Sequence, residues 1–316
     1  MRPEYVAKGV ERFYCRSPTL PPATTTNSYA VGTRDIVLVE PATPYQDEQE
    51  AWLVWAKGLA ASGKNLRAIF LTHHHIDHVG GLEFFAKALG LEIWAHEETF
   101  RRLPETKTYR TRSWNEGDIL DLATADDPGA SEAPHCWRVL FTPGHAPGHL
   151  CLFEETARTL IVGDMVASEG TILIDPDEGD MGRYLEELRR LRGLDATMAL
   201  PAHGAPILEP NAVFDFYVAH RLKREGKVLA ALAEWSTNAP PTANAPPGAL
   251  LQELLPIAYA DTPEALWPLA ELSLRAHLLK LVRDGKVLCD ETIGNAEATA
   301  ARKGFRWRTI SPKLSP

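Results

Sequence analysis

Over its first two hundred residues the chain alternates short apolar runs with amphipathic stretches, and the two periods separate strands from helices. "SYAVG" and "DIVLVE" read as two strands joined by the turn "GTRD". "DEQEAWLVWAKGLAASG" carries Trp52, Trp55 and Leu59 at helical spacing with Gly63 as its stop, so the tryptophans are expected in the core. "LRAIFLT" reads as a buried strand, and "LEFFAKALG" places Leu82, Phe85, Ala86 and Leu89 on one helical face. "WRVLFTPGH", "TLIVGD" and "TMALPAHG" are three further apolar strands that end in polar residues.

Near residue 240 the texture changes. "NAPPTANAPPG" is a Pro-rich linker or long loop. Beyond it, "ALWPLAELSLRAHLLKLV" sets Leu274, Leu278 and Leu281 on one helical face, "RDGKVLCD" turns into a strand, and "GFRWRTI" alternates as a second. Helices followed by a hairpin suggest a winged helix. The expected domains are therefore 1–215, carrying the chemistry, and 216–316, a helical linker with the winged helix. "ATADDPGASEAP", 123–134, is expected as an exposed acidic loop.

Composition changes this picture little. Hydrophobic content of 45% and charged content of 24% are those of an ordinary globular protein. No run is long enough to cross a membrane, and the first residues lack the apolar core of a secretory signal, so a cytoplasmic protein is expected. Cys15, Cys136, Cys151 and Cys289 lack paired metal spacing and are expected as buried thiols. The charge is uneven: from Arg275 onward nine Lys and Arg face four Asp and Glu, so the remaining residues carry −14 against a total of −9.

The chemistry concentrates in "FLTHHHIDHVGG", 70–81, on the loop between a strand and a helix, where α/β folds place reactive groups. His73 and His75 alternate and can face one side; Asp77 and His78 follow at once. His145, Asp164 and His203 close three other strands. Five imidazoles and two carboxylates at the carboxyl ends of four strands suffice for two adjacent metal ions.

This pattern, HxHxDH followed by "TPGH", "GD" and "PAHG", resembles the metallo-β-lactamase superfamily. The resemblance implies an αββα sandwich. It also implies that His73, His75 and His145 hold one ion, that Asp77, His78 and His203 hold the second, and that Asp164 bridges them. Cys replaces the equivalent of Asp164 in the commonest secreted β-lactamases, and Glu replaces that of His75 in the diiron flavoproteins. Only 39 positions separate Asp164 from His203, too few for the domain inserted there in an RNA-processing branch. Glyoxalase II shares a "THHHxDHxGG"-like motif but ends in a helical glutathione-binding segment not found here. "GDMVASEGTI", "YLEELRRL", "PAHGAPI", "HRLKREGKVL" and "LRAHLLKLVRDGKV" resemble the lactamase-beta-2-type group, which adds a winged helix, over nearly the whole chain. Glu40 stands where that group usually carries Asp followed by Thr-Gly, and it is a candidate support for the metal loop.

The function expected from the resemblance is hydrolysis by a hydroxide bridging two divalent ions. Zinc is the first choice, and iron or manganese would fit the same donors. The leading substrate is a small-molecule acyl thioester, ester or lactone; the alternative is single-stranded RNA, cut by an endoribonuclease. A non-catalytic nucleic-acid-binding protein with a relic site is disfavoured by the complete donor set. Asp77 and His149 are the candidate catalytic residues; for His149 the resemblance implies a place in the pocket or behind the metal ligands, and a strand-capping role suits it equally. His74 should face away from the metals and pack, and Asn27 either reaches the pocket or stabilises a turn. His96, His135, His220 and His277 have no motif support; His220 and Arg221 are expected to tie the catalytic body to the next helix. Arg302, Lys303, Arg306, Arg308 and Lys313 form a basic tail able to meet phosphates or simply remain solvated.

Overall fold

The structure is a computed structural model that describes residues 2–122, 136–238, 248–290 and 305–310. The acidic loop, His135, most of the Pro-rich stretch, Arg302, Lys303 and Lys313 lie outside the described residues. The chain forms two compact units: Met1–Ile172 with Glu187–Phe214, and Leu173–Glu186 with Asp215–Pro316.

In the first unit, β1 (Glu4–Ala7), β2 (Val10–Arg16), β3 (Thr25–Val31), β4 (Asp35–Val39), β5 (Asn65–Phe70), β6 (Glu92–Ala95) and β7 (Thr111–Ser113) form one sheet in sequence order. Helices α1 (Gln46–Ala61), α2 (Ile76–Val79), α3 (Leu82–Leu89) and α4 (Glu97–Arg102) connect its parallel half. A second sheet has the order β12-β11-β10-β9-β8, from β8 (Ile119–Asp121), β9 (Cys136–Phe141), β10 (Leu150–Glu154), β11 (Thr159–Gly163) and β12 (Met198–Pro201). Helix α5 (Met181–Arg192) lies between β11 and β12 in the chain.

Strand periodicity sorts the core into layers. Ile36 and Leu38 of β4, Ile69 of β5 and Leu71 just after it pack with Trp52, Trp55, Leu59 and Phe85 of α1 and α3. The intervening Val37, Val39, Ala68 and Phe70 pack with Trp137, Val139, Leu150, Leu152 and Ile161 of the second sheet. Both faces of β5 are covered at its carboxyl end, where Ala68, Ile69 and Phe70 are buried, whereas Asn65 and Arg67 at its start are exposed. Trp52 and Phe85 meet with ring centroids 4.0 Å apart, and both are fully buried.

The second unit contains α6 (Pro210–Asn238) from Asp215 on, β13 (Ala249–Leu250), α7 (Leu251–Ala258), α8 (Trp267–Arg283), β14 (Val287–Cys289) and β15 (Arg306–Thr309). Its antiparallel sheet runs β13-β15-β14, so the expected hairpin gains a short third strand. Val228, Leu232, Leu254, Leu274, Leu278, Leu281 and Trp307 form its core. Leu173–Glu186 joins this unit, a departure from an unbroken 1–215 domain. Asp177 pairs with Arg275 at 2.8 Å and Asp180 pairs with Arg283, contacts that no local pattern announces.

Cys15 and Cys151 are buried as expected, but Cys136 is exposed and Cys289 half-buried; all four are free thiols. Among the described residues, no helix is long and apolar enough to cross a membrane.

Candidate metal centre

Topology brings the polar strand ends together. β10 is antiparallel to both β9 and β11, and β12 is parallel to β11, so β9, β11 and β12 finish at one edge of their sheet. β4 and β5 are parallel and finish together in the other sheet. His73 and His75 after β5, Asp77 and His78 on α2, the loop holding His145, Asp164 after β11 and His203 after β12 converge there.

Donor groups gather there among the described residues of the first unit: His73, His75 and His145; Asp77, His78 and His203; and His73 and His78 with Asp164. In the first, His73 Nε2 lies 3.0 Å from His75 Nδ1 and 3.2 Å from His145 Nε2, and the latter two nitrogens are 3.0 Å apart. Ligands on a tetrahedral ion with metal–nitrogen bonds of 2.0–2.1 Å are about 3.3 Å apart, so the triangle is nearly the required size. In the second, Asp77 carboxylate oxygens lie 3.8 Å from His78 Nε2 and 3.5 Å from His203 Nε2. Asp164 reaches both groups. Its Oδ2 is 3.6 Å from His145 Nε2 and 3.5 Å from His78 Nε2, while its Oδ1 is 3.4 Å from His203 Nε2.

A pair of cations fits this donor set. Among the described residues, His78 Nε2 and Asp164 Oδ1 find no hydrogen-bond partner although both are buried, an arrangement that costs roughly 1–3 kcal/mol per group unless something else satisfies it. Burial, then the surrounding imidazoles, push the His73 ring well below its usual range, leaving a neutral ring with a lone pair. Burial works against charge on His78 too, but Asp164, Glu40 and Asp77 outweigh it and hold the ring well above its usual range. Asp164 shows the complement: burial opposes ionisation, and His203 and His78 overcome it, holding the carboxyl well below its usual range. Fixed negative charge thus accumulates where a second ion would sit.

The loops are held from a distance. Glu40 follows β4 in the left-handed region (φ 61°), uncommon for a residue with a side chain. Its Oε1 accepts the Thr72 amide at 2.8 Å, and its Oε2 lies 2.8 Å from His78 Nδ1, so the longer side chain does support the metal loop. Gly81 is required by close packing, since a Cβ there would stand 2.6 Å from the Thr43 carbonyl oxygen. Asn27 makes no turn: from within β3 its Nδ2 donates to the carbonyls of Pro201 (2.9 Å) and Gly204 (2.8 Å) on either side of His203. Tyr29 donates to Pro201 (2.6 Å) and Arg12 to Gly204 (3.0 Å). The sequence already marks Asn27 as a candidate to reach the pocket, but the Tyr29 and Arg12 contacts have partners more than 170 positions away and leave no local pattern.

His149 is fully buried, and its two ring nitrogens engage Thr142 Oγ1 (2.7 Å) and the Asp164 amide (3.1 Å). Both ring nitrogens are thus taken up by contacts within the protein. His74 stands beside His75, with ring centroids 4.9 Å apart. His96 caps α4 by accepting the Glu98 amide and stacks on Phe141. His220 stacks on Phe216, Arg221 lies over Tyr184, and His277 is fully buried.

Residues 21–203 match the family described as Metallo-beta-lactamase superfamily, and residues 251–294 match the Beta-lactamase associated winged helix domain. The chain is similar to Lactamase-like protein adaB of Aspergillus niger, with 28% identity over 90% of this chain and 83% of the relative. It is 29% identical to Atrochrysone carboxyl ACP thioesterase of Aspergillus chevalieri over 83% of this chain and 77% of that one. Among solved structures, a metallo-beta-lactamase family protein of Thermus thermophilus shares the fold, with TM-score 0.66 and 23% identity over 96% of this chain and 99% of that one.

Proposed function

The chain belongs to the metallo-β-lactamase superfamily and is a hydrolase, and on that premise we propose that it uses two divalent ions to cleave a small acyl thioester, ester or lactone. The observation that carries the dinuclear reading is the reach of Asp164, whose carboxylate stands within 3.6 Å of His145, His78 and His203. His73, His75 and His145 would hold one ion, Asp77, His78 and His203 the other, with Asp164 between them. When bound, such ions supply an activated water near neutral pH and polarise the carbonyl under attack. The six nitrogen and oxygen donors beside Asp164 suit zinc first, and iron or manganese also.

The protein's own contribution is orientation. Thr72 faces His73 Nδ1 at 2.9 Å, Glu40 holds His78 and the Thr25 carbonyl accepts from His203 Nδ1 at 3.1 Å, so each ring turns its other nitrogen to the centre. The acyl reading is supported by the relative named as a thioesterase and by the net charge of −9, which disfavours a polyanionic substrate. RNA is the other class the test must separate. Arg306 of the basic tail donates to the Gly248 carbonyl at 2.7 Å and is thereby committed to packing. Purified protein should turn over an acyl thioester and stop when a chelator is added. Cleavage of single-stranded RNA with no acyl turnover would overturn the substrate assignment.

A further inference from the structure

His149 belongs to neither donor group, yet both of its ring nitrogens are committed. The Asp164 amide donates to Nε2 at 3.1 Å, which requires a lone pair there and puts the ring proton on Nδ1. That proton goes to Thr142 Oγ1 at 2.7 Å, and the Thr142 amide in turn donates to the His149 carbonyl at 2.9 Å. The ring is therefore locked in one tautomer and one orientation, with its accepting nitrogen aimed at the main chain of the residue whose carboxylate reaches both donor groups. Gly163 makes this contact possible. It adopts φ +50°, and a Cβ in its place would stand 2.6 Å from His149 Nε2. The Gly163 carbonyl accepts the Ala202 amide at 3.1 Å, so the same short segment also meets the loop that carries His203.

We propose that His149 is a positioning residue: by accepting the Asp164 amide across the side-chain-free Gly163, it fixes where the Asp164 carboxylate stands between the two donor groups. This rests on the dinuclear reading above for its consequence, but the contact itself exists without metal. A main chain released at Asp164 can rotate its carboxylate away from one group while staying with the other. The weaker of two ions then suffers first, and supports of this kind are typically worth 10- to 100-fold in metal affinity.

The test uses His149→Gln, whose amide oxygen can replace the acceptor, His149→Leu, which removes it, and Gly163→Ala, which crowds it. In metal-free protein, exchange of the Asp164 amide followed by NMR should be slow in wild type and His149→Gln and at least about tenfold faster in His149→Leu and Gly163→Ala. In cobalt(II) titrations read by visible absorption, wild type should fill in two steps. His149→Leu should keep the first and weaken the second by about 10- to 100-fold, with His149→Gln close to wild type. Unchanged Asp164 exchange in His149→Leu overturns the proposal, as does equal weakening of both steps in the Leu and Gln variants. Should His149→Leu not fold, the comparison of His149→Gln with Gly163→Ala decides by the same readings. Wild type that binds fewer than two ions would overturn the dinuclear reading instead, and the metal-free exchange rates would still judge His149.

Discussion

Glu40 Oε2 lies 2.8 Å from His78 Nδ1, and both residues are almost completely buried. Because the same carboxylate also accepts the Thr72 amide, Glu40 ties the end of β4 to the start of the histidine loop and aims His78 Nε2 at the centre. The extra methylene relative to Asp lets a residue in the left-handed conformation span that gap.

Glu40→Gln should keep the bond from Thr72 but point an amide donor at His78 Nδ1, driving the ring proton to Nε2, the nitrogen needed for metal. Metal affinity should fall by about 10- to 100-fold with a small change in melting temperature. Glu40→Ala leaves a buried imidazole unpaired and should cost about 3–5 kcal/mol of stability. Chelator competition and urea unfolding measure the two effects. Equal metal affinity in wild type and Glu40→Gln would refute the support role.

Asp164→Ala should lose one of two ions and reduce turnover by about 100-fold or more, since removing a direct donor ought to exceed the loss of an outer support. His74→Ala should retain both ions. Elemental analysis of the two variants checks the contrast, and metal lost from His74→Ala but kept by Asp164→Ala would reverse the donor assignment.

Reversing Arg302, Lys303 and Arg308 to glutamate, with Arg306 left to pack, should leave acyl turnover within about twofold of wild type. For RNA the expectation differs: each phosphate contact contributes a slope of roughly −0.7 to the log–log salt dependence of single-strand binding. RNA binding that weakens and loses salt dependence on reversal, without acyl turnover, would favour the nuclease.

His277 tests the second unit. Burial, then Arg221, Lys280, Arg224 and His220, lower its ring from 6.5 to about 3. The unfolded chain takes up a proton below about 6.5 that the folded one refuses, so this contribution to stability is intact at neutral pH and is lost as pH falls from about 6.5 toward about 3. The slope is at most about 1.4 kcal/mol per pH unit. Relative to wild type, His277→Leu should gain stability steadily between pH 7 and pH 4; a difference independent of pH would count against it.

By itself the sequence determined what short-range physics controls. Period-two and period-3.6 patterns placed β4, α1, β5 and α3, and the turn from strand to helix put His73 and His75 on the loop after β5, with Asp77 and His78 on the short helix α2 rather than on the loop itself. The residue types of the candidate centre were legible because metal donors are chemically few and were packed into six positions and three strand ends. Which side of the centre each ring faces depends on contacts between distant segments. Glu40 meets His78 38 positions away, Asn27 reaches the His203 loop across more than 170, and His149 turns toward a main-chain amide rather than toward the donors. Leu173–Glu186 belongs to the second unit, where Asp177 and Asp180 pair with Arg275 and Arg283, although the linear sequence suggested an unbroken first domain. Local patterns carry a segment's conformation and its buried face, whereas hydrogen bonds and ion pairs between distant segments depend on sheet register and strand order. Those are settled only when the whole core packs.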